Sequence, residues 1–507
     1  MKIYNGHKRL ARNYTLLTDE YEYTMANGYL QKGKDKQEAV FDIFFRKVPN
    51  NGGYAVMAGL DQIIPFIENL KYDEQAISYF ERNGYPKNFI ESLKKFKFTG
   101  DLYAIPDGTP IFPNEPIITV KAPLNEAQTI ETALLAIVNG AISHSTGARR
   151  IIEAAPIGTE ILDLPKLKET EDSFIKLMEF GARRADGLEA AIDSSIYGIM
   201  AGCIGTSNVL AADMLNMKAM GTMAHSWVEA FPTEFESFKA YADIYPNNCL
   251  LLVDTYDTLR SGLPNAIKTF EYMKEKGMSL NNIGIRIDSG DLAYLSKIAR
   301  KMLNSAGFSQ AKICLSNGLT AETVESLILQ GACFDSLGVG DNISKPAGNV
   351  GCVYKEVGLN ENGIWLPKIK ISNDVIKTIN PDYKKLYRAY DKDTGYAIAD
   401  IMTRQDEEIT KDNITIVSPQ DMLKRTTISN FELRNLQKPI FLNGKLVYDD
   451  PDIREKKKYC NEQMSTIYPE IKRTMNPHEY YVDGTEDYVN FKKETIEKTK
   501  KLIRKVS

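Results

Sequence analysis

Cysteine is sparse and scattered in this chain: six residues in 507, at 203, 249, 314, 333, 352 and 460, with no Cys-x-x-Cys pair. That spacing argues against a disulfide framework or a zinc site, and the thiols are expected to be small core residues in a reducing cytoplasm. No basic block and no interleaved basic and aromatic tract points to nucleic acid. The lysines near the end of the sequence alternate with glutamates, as on a solvated helix face. The first nine residues lack the apolar core and small-residue cleavage site of a secretory signal, and no apolar run approaches the length needed to span a membrane. The Gly52-Gly53 pair is followed by no Lys-Ser or Lys-Thr, so it does not make a phosphate loop. Neither an internal repeat nor a low-complexity linker is present. A net charge of -4 describes an ordinary soluble, cytoplasmic protein.

At 507 residues the chain exceeds what one core usually supports, and two or three domains are expected. Residues 1–140 mix helical and strand patterns and read as an N-terminal α+β domain. Thr18-Asp19-Glu20-Tyr21 looks like a helix start with Thr18 as N-cap. Proline and glycine punctuation between 100 and 120 suggests a small antiparallel layer. A long helix from Leu124 is expected to stop at Gly140. Residues 141–350 read as the catalytic domain and 351–507 as an accessory one.

The middle region is the regular one. Leu250–Asp254, Asn282–Ile287, Ile313–Ser316 and Phe334–Gly340 are apolar runs that each end in Gly, Asp, Ser or Asn, with helical stretches between them. Strand, polar loop and helix repeated in this way is the pattern of parallel βα units. An α/β barrel fits best, because catalytic groups of that fold gather where strands leave the sheet. A doubly wound open sheet is the alternative.

His225, one of only four histidines, follows Gly221-Thr222-Met223-Ala224 and precedes Ser226-Trp227. Such an imidazole can be a base, a metal ligand, a phosphoryl acceptor, or simply a hydrogen-bonded side chain at a strand end. Around it the strand-end loops offer Arg183 and Arg184, Ser207, Asp254 and Asp257, and Arg286 with Asp288. Gly318, Gly338 and Gly340 add exposed backbone. Arginines beside glycine turns suit phosphate, and carboxylates beside phosphate suit ribose hydroxyls or Mg²⁺. The inventory fits a phosphorylated sugar with a second anion.

Seven motifs in order, Thr18-Asp19-Glu20-Tyr21, Phe180-Gly181-Ala182-Arg183-Arg184, Gly205-Thr206-Ser207-Asn208, His225-Ser226, Asp254-Thr255-Tyr256-Asp257, Arg286-Ile287-Asp288-Ser289-Gly290 and Gly338-Val339-Gly340, resemble those of the nicotinate phosphoribosyltransferases. The resemblance implies an irregular α/β barrel of the type II phosphoribosyltransferase kind, with an N-terminal α+β domain and a C-terminal accessory domain. It also implies condensation of nicotinate with phosphoribosyl pyrophosphate, coupled to ATP hydrolysis, in NAD salvage. In that reading Tyr21 and Phe180 sandwich the pyridine ring, Tyr21 coming across a homodimer interface. Arg183 and Arg286 meet phosphate or carboxylate, and Thr206 and Ser207 lie at the substrate. Asp254 and Asp288 hold ribose or Mg²⁺, Gly318, Gly338 and Gly340 cradle the 5′-phosphate, and His225 is phosphorylated by ATP. Catalysis falls to His225, Asp288 and Arg286.

The nicotinamide-specific relatives carry an aspartate after the Gly-Thr pair. Here Ser207 can donate to a carboxylate that an aspartate would repel, so nicotinate is the expected base. A sugar-phosphate isomerase or aldolase would want a lysine or glutamate at a strand end, which these loops lack. A metabolite-binding barrel without transferase activity is the remaining alternative.

Overall fold

The computed structural model describes residues 13–161, 176–346, 348–371 and 378–506, with backbone alone at 155–161 and 503–506. The described chain divides into two compact units. The first takes the residues up to Ser143, Gly348–Lys472 and those from Asn476 onward; the second takes His144–Ala347 with Arg473–Met475.

The second unit is built on six parallel strands: Lys176–Glu179, Gly205–Thr206, Cys249–Leu252, Ile283–Ile287, Lys312–Ser316 and Ser336–Val339. Numbered along the chain, they lie side by side in the order second, first, sixth, fifth, fourth, third. The first strand therefore pairs with the last, Glu179 opposite Val339, as in a barrel. The second and third strands share no ladder, which leaves one seam. This is the irregular barrel expected from the sequence. Its strands are almost wholly buried, which is why they read as apolar runs. The helices Leu263–Glu275, Leu292–Ser305 and Ala321–Leu329 each follow a strand. Asp291 and Thr320 cap two of them, accepting from the N–H groups of Tyr294 and Thr323.

The first unit contains two larger sheets. One orders Ile364–Pro367, Val353–Glu361, Glu38–Phe44, Ile118–Pro123, Asp101–Ala104, Lys438–Leu442 and Lys445–Leu446, all antiparallel. The other orders Arg425–Ser429, Asn413–Val417, Tyr481–Thr485, Ala397–Arg404, Lys384–Asp391 and Phe431–Asn435. Segments read from the sequence as separate N- and C-terminal domains thus share one sheet: Ala39 faces Leu359, and Leu102 faces Phe441.

Two local expectations differ from what is observed. The helix after Leu124–Thr129 runs unbroken from Glu131 to Ile161, past Gly140. A glycine costs about 1 kcal/mol inside a helix, too little to end one that buries Ala133, Leu134, Val138, Ala141 and Ile142 on its flanks. The first described helix starts at Glu20 with Asp19 at the cap position. Thr18 instead directs its hydroxyl to the buried carboxylate of Glu22.

Candidate active site

Most of the sequence-predicted residues converge where the barrel strands end. A cavity of about 490 Å³ is lined by Phe180, Arg183, Arg184, Ser207, the stretch Gly221–His225, Arg286, Asp288, Ser316, Asn317, Gly318, Gly338, Gly340 and Asp341. Every one of these belongs to the second unit. Each strand except the third contributes from its C-terminal end, the usual place for chemistry in a barrel.

Phe180 follows the first strand, and its backbone N–H donates to Val339 O at 2.7 Å. The ring packs against Gly338, where a Cβ would stand 2.5 Å from it. Gly181 is equally constrained, because a Cβ there would come within 2.7 Å of Gly340 O. Gly338 therefore makes room for the aromatic ring. Gly318 follows Asn317, and both have positive φ, +62° and +86°. Two left-handed residues in succession suit an Asn-Gly pair and give a tight corner on the cavity wall.

The floor is a linked set of polar groups. Asp288 Oδ1 accepts from Ser316 Oγ at 2.6 Å. Asp254 does not line the cavity; its Oδ2 accepts from the Asp288 N–H at 3.1 Å and from Ser289 Oγ at 2.5 Å. Two buried polar atoms in this set have no hydrogen-bond partner, Asp254 Oδ1 and Arg286 Nε. Buried polar atoms are normally satisfied, and Arg286 lines the cavity, where a polar ligand can complete the pattern. Among the described residues, no group of three or more His, Cys, Asp or Glu side chains is arranged to hold a metal by itself.

His225 begins the short helix His225–Glu229 in the long connection between the second and third strands. That connection bridges the seam. The Met220 N–H donates to Thr206 O at 2.8 Å, extending the second strand's edge. Arg286 Nη2 donates to Met223 O at 3.4 Å, and His225 Nδ1 meets Thr255 Oγ1 at 3.1 Å, just past the third strand. The imidazole is half-buried on the wall of the cavity, its ring oriented by Thr255.

The remaining candidates, Arg184 apart, fall outside the wall. Thr206 is fully buried and donates to Glu179 Oε2 at 2.6 Å. Arg184 lines the cavity but is exposed and paired with Asp341 at 3.3 Å. Asp257 accepts from the N–H groups of Leu259 and Arg260, an ordinary cap. His144 is buried, with Nδ1 at 2.8 Å from Ile343 O, and packs beneath the turn that carries Gly340. Tyr21 belongs to the first unit, 46% exposed, its hydroxyl pushed up to about 12 by partial burial and then by the carboxylates of Glu131, Glu22 and Asp19.

Sequence reasoning missed Ser316, Asn317, Thr255 and Glu179. The Asn-Gly dipeptide after an apolar run was the available signal for Asn317. Nothing local distinguishes the other three.

No described helix is long and apolar enough to cross a membrane. Three family models match the chain: the nicotinate phosphoribosyltransferase N-terminal domain over residues 16–139, the nicotinate phosphoribosyltransferase family over 175–391, and its C-terminal domain over 383–492. The chain is 40% identical to the nicotinate phosphoribosyltransferase of Bacillus subtilis, over 96% of each sequence. It is 32% identical to that of Caenorhabditis elegans, over 96% of this chain and 94% of the other. The structure is similar to human nicotinic acid phosphoribosyltransferase, with a TM-score of 0.77 at 25% identity, covering 94% of this chain and 99% of the human one. The chain belongs to the nicotinate phosphoribosyltransferase family.

Proposed function

We propose that this chain condenses nicotinate with phosphoribosyl pyrophosphate to give nicotinate mononucleotide and pyrophosphate, for NAD salvage. The observation that carries the reading is one cavity, at the strand ends of a barrel of this family, that joins an aromatic ring, three arginines and two carboxylates. The Phe180 ring offers a stacking surface for a pyridine, and the Ser207 hydroxyl can donate to its carboxylate. Arg183 and Arg286 supply cationic partners for phosphate, and the Asn317-Gly318 corner with Gly338 and Gly340 supplies backbone at the 5′-phosphate. Held in this way, the ring nitrogen attacks the anomeric carbon as the pyrophosphate departs through an oxocarbenium-like state.

Mg²⁺ enters this reading as a companion of the pyrophosphate. The residues fit it: Mg²⁺ commonly takes one or two carboxylates plus substrate phosphates, and here Asp288 reaches the cavity while Asp254 Oδ1 is unpartnered. When bound it would offset the charge that builds on the leaving oxygens. Asp288 and Asp254 would hold it or the ribose hydroxyls.

ATP is the co-substrate in this proposal. With Nδ1 engaged by Thr255, the other ring nitrogen of His225, Nε2, would take the terminal phosphoryl group of ATP as ADP leaves. Hydrolysis of the phosphorylated imidazole would then bias the condensation forward. A second copy of the chain would bring Tyr21 to the open side of the ring, the role its exposed position allows.

Product formation from phosphoribosyl pyrophosphate and Mg²⁺, with nicotinate or nicotinamide and with or without ATP, tests the whole reading. Nicotinate turnover stimulated by ATP in the intact protein but not in His225→Ala is the expected result. Preference for nicotinamide would overturn the Ser207 argument. Turnover of neither base would leave a binding barrel.

A further inference from the structure

Glu179 ends the first strand and is fully buried, outside the cavity wall. Its carboxylate gathers donors from three places. The backbone N–H of Gly181 donates to Oε1. The hydroxyls of Thr206 and Ser195 donate to Oε2 at 2.6 and 2.9 Å. Its main-chain carbonyl accepts the Ser207 N–H at 2.9 Å. Burial pushes this carboxyl above the usual range, opposed by those same hydrogen bonds. A leucine would fill such a place without the cost of taking a carboxylate out of water, so packing alone does not explain it. What the carboxylate adds is a bond between two neighbouring strand ends: one leads into Phe180, the other into Ser207.

We propose that Glu179 is a positioning residue that fixes the spacing between the Phe180 ring and the Ser207 hydroxyl, and through it the affinity and the acid-over-amide selectivity for the pyridine substrate. The inference rests on the reading of Phe180 and Ser207 given above. Glu179 touches no substrate. It acts through the Gly181 N–H on one side and the Thr206 hydroxyl on the other. This also gives Thr206 a part in the site although its side chain faces away from the cavity.

Glu179→Ala risks misfolding, so the test uses Thr206→Val, Thr206→Ser, Glu179→Gln and the Thr206→Val/Glu179→Gln double variant, with KM measured for each substrate and thermal unfolding measured alongside. Thr206→Val is expected to raise KM for nicotinate about tenfold and to narrow the nicotinate-over-nicotinamide preference, with KM for phosphoribosyl pyrophosphate moving less than about twofold. Thr206→Ser keeps the donor and returns the nicotinate KM toward that of the intact protein. Glu179→Gln falls between, and the double variant loses no more than the worse single one, as two halves of one clamp should. A parallel rise in both KM values, a change in unfolding temperature alone, or simple additivity in the double variant would overturn the positioning role. An intact protein that turns over neither base would overturn the functional reading and this inference with it; turnover by the intact protein with Thr206→Val unchanged overturns this inference only.

Discussion

In the first unit Arg388 and Asp400 meet through two bonds of 2.7 Å with no exposure to solvent, whereas in the second unit Arg286 and Asp288 are half-buried and line a cavity. The first arrangement is closed to solvent: Arg388 also donates to Pro110 O at 2.9 Å and lies over the Phe112 and Tyr480 rings. Lys384 with Asp42, and Lys456 with Asp107 and Asp450, repeat it. Displaced titrations accompany these pairs. Burial pushes Asp107 up to about 6, and burial with the neighbouring Asp400 pushes Glu115 well up. A perturbed ionisable group is often taken as a sign of a functional site. In this molecule Asp107 and Glu115 owe their displacement to packing inside the first unit, and the candidate site is marked instead by half-buried charges, Arg286 and Asp288, on a cavity wall.

The comparison breaks or sharpens with a few substitutions. Asp400→Ala leaves Arg388 buried without its paired carboxylate, and a loss of about 3–5 kcal/mol in unfolding free energy is expected. Urea denaturation measures it, and the folded fraction should keep its kcat. Asp288→Ala reverses the pattern: kcat/KM should fall by about 10²- to 10³-fold with little change in unfolding midpoint. If Asp288→Ala destabilised the protein as much as Asp400→Ala does, the contrast between a closed and an open arrangement would fail.

Lys492 gives the pH test. It is buried, with no carboxylate of the described residues paired to its ammonium, and is bonded to Asn380 Oδ1 at 2.8 Å and Pro419 O at 2.9 Å. Burial, and then the charge of Lys384, push it down from the ordinary 10.5 to about 7. Between those values the unfolded chain holds a proton that the folded chain has released. Stability should therefore climb as pH rises from about 7 toward 10.5, with a slope approaching about 1.4 kcal/mol per pH unit, and the penalty is complete below the lower value. Lys492→Met should flatten that climb, as read from unfolding at several pH values. A slope unchanged by the substitution would place its origin elsewhere. The smallest effect is expected at Ser207→Ala, which removes one donor and should raise KM for nicotinate roughly five- to tenfold without altering stability. Ser207→Asp should shift preference toward nicotinamide, measured as the ratio of kcat/KM values.

The βα pattern of the second unit was legible because each strand is a local apolar run closed by a turn signal. The bounds of Ile283–Ile287 and Ser336–Val339 fall within the runs read from the sequence, and Lys312–Ser316 starts one residue before its run. The residues after those strands were legible too, since a polar or glycine residue at a barrel strand end is exposed by the fold itself. Gly140 misled because a glycine's local preference is weaker than the burial of the residues around it. Thr206 and Ser207 are neighbours in the chain, and no local signal says which faces the cavity. Alternation along the strand sends one inward to Glu179 and leaves the other at the rim.

What the sequence determined by itself is therefore the set of motifs, their order, and the kind of element each one closes, all of which depend on interactions between near neighbours. The tertiary structure alone decided which ends meet. Pairing of the first strand with the sixth lays Phe180 on Gly338, and the open seam lets the His225 connection reach across to Thr255. In the first unit the same kind of choice joins Glu38–Phe44 to Val353–Glu361 in one sheet. Strand adjacency is fixed by the cooperative burial of distant segments, a term that no window of sequence contains.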